Sequence, residues 1–378
     1  MPVIIMVDNI IMRSITGTLT KELNNKLTNP QVAKAEAFSV SSYSKLMDRI
    51  ARLSYLNKDY LLFFRGQGTD YTNKAGASTL YPSIYRGDRL SREELELRFD
   101  LLLGASRRLS DIMQKEKPEG YQDVRRRKYI QWSILQHYEV CPTPLLDLTH
   151  SLRVACSFAF LLDSKSDPYL YVFGLPYLTN RISINSEHDI VNVRLLSICP
   201  PDALRPYYQE GYLAGTDDIT TDFDSKGELD FNNRLIAKFR LSRSKSFWGM
   251  GFRQIPESLL YPEKDWFKEI CSSIRTEVEK EGVGPVNLGR FLQEWTDLES
   301  TITRIARKYQ ERVFSFREAT TVLYKNELLP SELQEQLDNL RKFRNLAVHE
   351  PSRLDTKDLT EALHKLVEVK NKIKLLKY

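Results

Sequence analysis

Two kinds of apolar pattern divide this chain. Up to about residue 275, short continuous apolar runs alternate with amphipathic stretches; from about residue 288 on, apolar residues recur at helical spacing alone. Leu61-Leu62-Phe63-Phe64 has no polar break, which predicts a strand buried on both faces that delivers Arg65 at its end. Tyr169–Phe173 and Leu235–Leu241 read as strands of the same kind. Ser41–Leu56 predicts an amphipathic helix with Leu46, Ile50 and Leu53 on one face. Ser91, with Glu94 three residues on, opens a helix through Phe99 and Leu103. Further helices are predicted over 121–138, from Ser151 to Leu162, and over Trp266–Ile274. Residues 3–7 and 11–16 predict short strands around an Asp8-Asn9 turn. The Gly-, Thr-, Ser- and Asn-rich stretch 66–79 and the acidic stretch 216–230 predict loops.

Past Ile274, Lys280 to Gly289 reads as a linker. Phe291, Trp295, Leu298, Ile302, Ile305 and Tyr309 then mark one helix, and a shorter one covers about 315–327. Pro330-Ser331 with Gln334 opens a third, carrying Leu333, Leu337, Leu340, Phe343 and Ala347 and stopped by Pro351. A fourth starts at Asp355 or Thr356 and carries Leu359, Leu363, Leu366 and Ile373. Four helices with short connections predict an up-down bundle. The expected organisation is α+β: a mixed-sheet α/β domain over 1–275, a linker over 276–287 and a helical bundle over 288–378.

Length and composition narrow this picture. A chain of 378 residues exceeds the roughly 100–200 of one domain. Charged residues make up 28% and apolar residues 42%, a globular balance. The net charge of +5 permits a polyanionic partner without requiring one. Asp8 cuts short the apolar start, so no signal peptide is expected. No apolar run is long enough for a membrane span, and a cytoplasmic protein is expected. Cys141, Cys156, Cys199 and Cys271 are widely spaced, the pattern of reduced thiols, and with isolated histidines no metal site is expected.

Several residues carry candidate chemistry. Arg65, at the end of a buried strand, can grip a phosphate by two parallel hydrogen bonds, or simply pair with Asp147. The hydroxyl of Thr149 or Ser151, between a strand and a helix, can bond a ribose. Glu210 can stabilise positive charge at a sugar C1′ as a glycosidic bond breaks, or be only a turn residue beside Gly211. His137 and Tyr138 also read as satisfied core groups, the more common fate of a histidine beside aromatics, and Asp147 as a helix cap. Arg125, Arg126, Arg127 and Lys128, followed by Tyr129 and Trp132, form either a solvated face or a contact for a nucleic-acid backbone.

Phe64-Arg65-Gly66-Gln67, Leu80 to Arg86, Leu135 to Thr149, and Tyr208 to Tyr212 occur in an order that resembles the FRG-domain family over roughly residues 40–275, with Leu259 to Glu263 similar to its closing segment. Three positions depart from the family: Glu139 stands where glycine is usual, Pro144 where arginine is usual, and Glu210 where a second glutamine is frequent. The order arginine, hydroxyl, glutamate resembles that of ADP-ribosyltransferases. The resemblance implies Arg65, Thr149 and Glu210 as catalytic residues. It implies that NAD, as substrate, is held by Arg65, Gly66, Gln67, Tyr85, His137, Tyr138, Asp147 and Ser151. ADP-ribose would then pass to a macromolecule, RNA favoured.

In the helical part, Arg344, Asn345 and His349 resemble the signature of the HEPN superfamily over about 285–378. That resemblance implies either a metal-independent ribonuclease whose motifs pair in a dimer, or a non-catalytic partner-binding bundle. The fusion of the two parts resembles bacterial toxin and anti-phage defence proteins, which implies a neutralising antitoxin partner. The alternatives to the transferase are the ribonuclease with the first domain as sensor, and a non-catalytic interaction module.

Overall fold

Phe63 and Phe64 are both buried, on opposite faces of one strand, and the sheet grows outward from that pair. The computed structural model describes residues 31–87, 92–161, 166–216, 225–281, 285–349, 354 and 356–375. The expected strands at 3–7 and 11–16, Ser91, Pro351, Asp355 and residues 217–224 of the acidic stretch lie outside these residues. The chain divides into two compact units, Met1–Ile274 and Arg275–Tyr378.

The first unit is built on one mixed eight-stranded sheet. Its strands are β1 (Phe38–Val40), β2 (Leu61–Gln67), β3 (Leu146–Thr149), β4 (Tyr169–Leu175), β5 (Ile182–Asn185), β6 (Ile190–Arg194), β7 (Gly211–Thr216) and β8 (Leu235–Leu241). They are ordered β1-β8-β4-β2-β3-β7-β6-β5, and β1 with β8 is the parallel pair. The helices are α1 (Tyr43–Leu56), α2 (Arg92–Glu116), α3 (Tyr121–Arg126), α4 (Lys128–His137), α5 (Leu152–Leu161), α6 (Leu204–Tyr208), α7 (Glu257–Leu260) and the first part, up to Ile274, of α8 (Trp266–Glu281). On one face of the sheet, Phe64, Val172 and Phe239 pack with Leu46 and Leu53 of α1 and with Ala155, Cys156 and Ala159 of α5. On the other, Phe63, Leu146, Leu148, Tyr171, Tyr212 and Phe231 form a second core.

The helix expected over 121–138 is two helices. Arg127 is extended (φ −121°, ψ 107°), ending α3 and starting α4. Val124 and Ile130, both buried, are six apart, which in one straight helix points them about 240° apart. The break re-phases the chain so that both reach the core. Asp147 lies on β3 and caps no helix; Ser151 does so instead, its Oγ accepting from Val154 N at 3.4 Å.

In the second unit, α9 (Pro285–Ala306), α10 (Phe316–Lys325), α11 (Ser331–His349) and α12 (Thr356–Leu375) close around one apolar core. Trp295, Leu298 and Ile302 meet Phe316 and Leu323, Leu337 and Leu340, and Leu363 and Leu366 there. Tyr309 falls beyond the end of α9 and is exposed. The expected linker over 276–287 is helical up to Glu281 and again from Pro285. No helix among the described residues is long and apolar enough to cross a membrane.

Candidate functional site

β2 pairs with β4 along its whole length but with β3 only at Phe64 and Thr149. Beyond that pair β2 and β3 part, and the Arg65 side chain fills the opening. Its Nη1 donates to the Asp147 carbonyl oxygen at 2.7 Å, and the Asp147 carboxylate lies 3.9 Å away. Burial pushes the Arg65 pKa down, Asp147 opposes that, and Arg86 adds to the lowering. The Asp147 carboxylate is fixed by Gln136 Nε2 at 2.7 Å; Gln136 Oε1 in turn accepts from Thr143 Oγ1 at 2.6 Å and Ser83 Oγ at 3.0 Å. One hydrogen-bonded chain thereby joins segments far apart in sequence. Gly66 answers a different demand. A Cβ there would stand 1.8 Å from the Ala155 carbonyl oxygen, because the backbone of α5 lies directly on β2. In Phe64-Arg65-Gly66, the phenylalanine fills the core, the arginine enters the opening, and the glycine admits the helix.

Arg65, Gly66 and Gln67 line a cleft of about 1020 Å³. Lys74, Arg86 and Lys226 line it too, so four cations face it, and none of its lining residues is Asp or Glu. Its walls are fixed from beneath. Asp70, at the start of the wall loop, pairs with buried Lys238 of β8 at 3.1 Å and accepts from Tyr171 Oη at 2.8 Å; Lys238 also donates to Ser78 Oγ at 2.9 Å. Asp230, buried, accepts from Leu80 N and Asn232 N at 2.9 Å each. Burial raises its pKa to about 6, and these N–H groups oppose the rise.

The other expected site residues lie elsewhere. Tyr85 is buried and packs toward Phe99. His137 is buried, with Nδ1 3.0 Å from Gln209 Oε1. Gln209 Nε2 donates to Leu260 O at 2.9 Å, which turns its oxygen toward the histidine and makes Nδ1 the donor. The remaining nitrogen, Nε2, is 3.8 Å from Asp147 Oδ1, and burial lowers the His137 pKa against the pull of that carboxylate. Gly211 leaves room for this ring: a Cβ there would lie 2.9 Å from His137 Nε2. Tyr138 donates to Asp265 at 2.7 Å, and Arg205 lies 5.0 Å over its ring. Thr149 Oγ1 is committed to backbone, donating to Glu210 O at 3.0 Å and accepting from Ser151 N at 3.0 Å.

Glu210 is exposed, in the turn before β7. Phe64, Thr149 and Gly211 form one row across the sheet. Arg65 lies one residue to one side of that row and Glu210 one residue to the other, about 12 Å apart at Cα from strand geometry. On the neighbouring His150, burial lowers the pKa and the Leu62 carbonyl, with Glu210 last, opposes it; the His150 ring packs 4.0 Å from Phe63 and 4.4 Å from Tyr212. Glu210 and Thr149 are not among the residues lining the Arg65 cleft. Both Glu139 (φ +54°) and Glu210 (φ +45°) adopt the left-handed conformation that favours glycine.

Arg125 to Lys128 are exposed and outside the cleft. The Arg125 side chain bonds Gln114, Arg127 pairs with Asp123 at 3.2 Å, and Lys128 lies over Tyr129 and Trp132 at 5.1 and 5.3 Å. In the second unit, Arg344 Nη1 donates to Asn345 Oδ1 at 3.2 Å, and His349 is exposed at the end of α11, one turn past Asn345.

Sequence reasoning assigned no role to Tyr71, Lys74, Tyr81, Arg86, Lys226 or Lys238. Arg86 stands inside a segment singled out for its motif, which was the available signal. Lys226 and Lys238 reach the cleft region only through the fold.

No curated protein and no solved structure matches the chain. Residues 61–168, which contain β2, Ser83, Gln136, Thr143 and Asp147, match the FRG domain.

Proposed function

We propose that the FRG-matching unit binds a phosphate-bearing nucleotide in the Arg65 cleft, with NAD as the occupant and transfer of ADP-ribose to a macromolecule, RNA favoured, as its reaction. The observation that carries the binding half is the lining itself: four cations, no carboxylate, and walls anchored by a buried ion pair. Such a site attracts a polyanion and is already shaped for it. The guanidinium of Arg65 has its nearest carboxylate at 3.9 Å, beyond hydrogen-bonding distance, so its charge is incompletely matched within the protein.

Transfer breaks the bond between ribose C1′ and nicotinamide, releases nicotinamide, and joins C1′ to an acceptor nucleophile. It calls for a carboxylate near the positive charge that develops at C1′. The chain order resembling ADP-ribosyltransferases supports Glu210; Asp147 is the carboxylate nearest Arg65, at 3.9 Å, and neither of the two lines the cleft. On this reading the protein acts as a bacterial toxin or defence effector in the cytoplasm, held in check by a neutralising protein.

Incubation with NAD labelled in its adenylate part, beside total RNA and protein, tests the proposal. Label should appear on a macromolecule, disappear in Arg65→Ala and persist in His349→Ala. Asp147→Asn and Glu210→Gln identify which carboxylate serves. An Arg65→Ala variant that folds and transfers as wild type sinks the reading.

A second reading, metal-independent cleavage of RNA by the helical unit, is favoured by one observation. His349 is exposed and Asn345 shares its helix face, while Arg344 is bonded to that asparagine. Two copies pairing these motifs would complete such a site. RNA cut without cofactor and lost in His349→Ala would move the chemistry there and leave the FRG unit as a sensor.

A further inference from the structure

We infer that Tyr71 is the platform on which the planar ring of the cleft ligand stacks, so that the ligand class is a nucleoside diphosphate or larger and not a bare polyphosphate or sugar phosphate. This inference rests on the nucleotide-binding reading above and adds the residue that holds the ring.

Tyr71 lines the same cleft as Arg65 and Arg86 and is 59% exposed. Single exposed tyrosines are ordinary on protein surfaces. Two features set this one apart. The first is rigidity. Thr79 N and Thr79 Oγ1 both donate to the Tyr71 carbonyl, at 2.8 and 3.1 Å. The next residue, Thr72, bridges to Ser78, and the preceding one, Asp70, is locked by Lys238 and Tyr171. An exposed aromatic at a loop tip usually moves with its loop; this backbone is tied on both sides, and the ring has two side-chain torsions to order at most. The second is vacancy of partners. No aromatic ring, cation or hydrogen-bond partner among the described residues engages the Tyr71 ring.

The neighbouring tyrosine shows the contrast. Tyr81 also lines the cleft, but Lys226 lies 4.9 Å over its ring and Asp230 bonds its hydroxyl. Tyr81 is therefore part of the wall, and Tyr71 is the ring left open at its mouth. An aromatic face beside a cationic groove is the pairing by which proteins hold base and phosphate together, since every base offers a π-face regardless of its identity. Nothing on Tyr71 reads the edge of a base, so preference among adenine, guanine and pyrimidine rings should be weak.

Titration calorimetry on the full chain with ADP, pyrophosphate and adenosine, for wild type, Tyr71→Ala and Tyr71→Phe, tests this. ADP should bind about tenfold or more tightly than pyrophosphate to the wild type. Tyr71→Ala should erase that advantage while leaving pyrophosphate affinity unchanged, and Tyr71→Phe should keep it. Unchanged pyrophosphate binding serves as the check that Tyr71→Ala is folded. If ADP and pyrophosphate bind the wild type equally, or if Tyr71→Ala preserves their ratio, the ring-stacking inference is overturned and the anion-binding reading survives. If neither anion binds at millimolar concentration, both fail together.

Discussion

Replacing Gly66 with alanine puts a methyl group 1.8 Å from the Ala155 carbonyl oxygen and 2.8 Å from both Ala155 C and Ala159 N. An ordinary carbon–oxygen contact is about 3.3 Å, so α5 or β2 must retreat by about 1.5 Å. Neither can yield by turning a side chain, because the obstructing atoms are backbone. The contact so opened is the one where Ala155, Cys156 and Ala159 meet Phe64 and Val172. A gap of about 0.5–1 Å already forfeits a quarter to a half of the dispersion energy of the facing atoms. Ordinary overpacking costs about 1–3 kcal/mol, and a backbone-on-backbone clash belongs at or above the top of that range, so a loss of about 3 kcal/mol or more is expected. Urea denaturation followed by circular dichroism reads it as a fall in midpoint at unchanged slope. Gly251→Ala is the control: nothing lies within 4 Å of its added Cβ, and its stability should move by less than about 0.5 kcal/mol. A Gly66→Ala midpoint within about 1 kcal/mol of wild type would refute the reasoning. It would mean that the glycine is not there to admit the helix.

Two further predictions concern what holds the cleft. Asp70→Ala strands Lys238, 6% exposed at its side chain, without its carboxylate, and should cost about 3–5 kcal/mol; adding Lys238→Met to that variant should recover most of the loss. Thermal unfolding of the single and double variants decides it, and equal losses would sink the claim. Asp230→Asn should gain on wild type as pH rises. The native pKa of Asp230 is about 6, above the ordinary value, so its contribution to stability is present below about pH 4 and is lost as pH climbs through 6. The asparagine keeps the acceptor for Leu80 N and Asn232 N without the charge. The stability difference between variant and wild type should therefore move toward the variant by up to about 3 kcal/mol between pH 4 and pH 8. The buried histidines are common to both proteins and cancel in that difference. A pH-independent difference would show that Asp230 does not titrate as stated.

What was legible in the chain before folding was whatever a single element decides for itself. The run Leu61 to Phe64 reads as a strand buried on both sides, and it is one; Arg65, expected at its end, lies inside β2, because Gly66 and Gln67, expected in a loop, stay paired with β4. Leu235–Leu241 ends where its apolar residues end. The apolar spacing of Trp295, Leu298 and Ile302, or of Leu333, Leu337 and Leu340, is a helix stripe whatever it faces, and those residues do meet in one core. The strands that no apolar pattern announces, β1, β5, β6 and β7, are short or carry small and polar residues, as in Gly211–Thr216. Their burial is conferred by neighbouring strands and cannot be read from their own pattern.

The candidate site shows the same division more sharply. Local sequence located Arg65 and the glycine beside it. The partners of that arginine depend on where β3 leaves β2, a matter of sheet register that no single segment encodes. The same register sets Glu210 and Arg65 on opposite sides of one cross-strand row, although their order along the chain had suggested a shared task. Lys226 and Lys238 come to the cleft and its supports from residues more than a hundred positions away in the chain. Secondary-structure propensity and the identity of the arginine strand belong to the sequence, because they follow from forces acting within a few residues. Which charges face one another across the cleft belongs to the tertiary structure, because it is the packing of distant strands and loops that sets those distances.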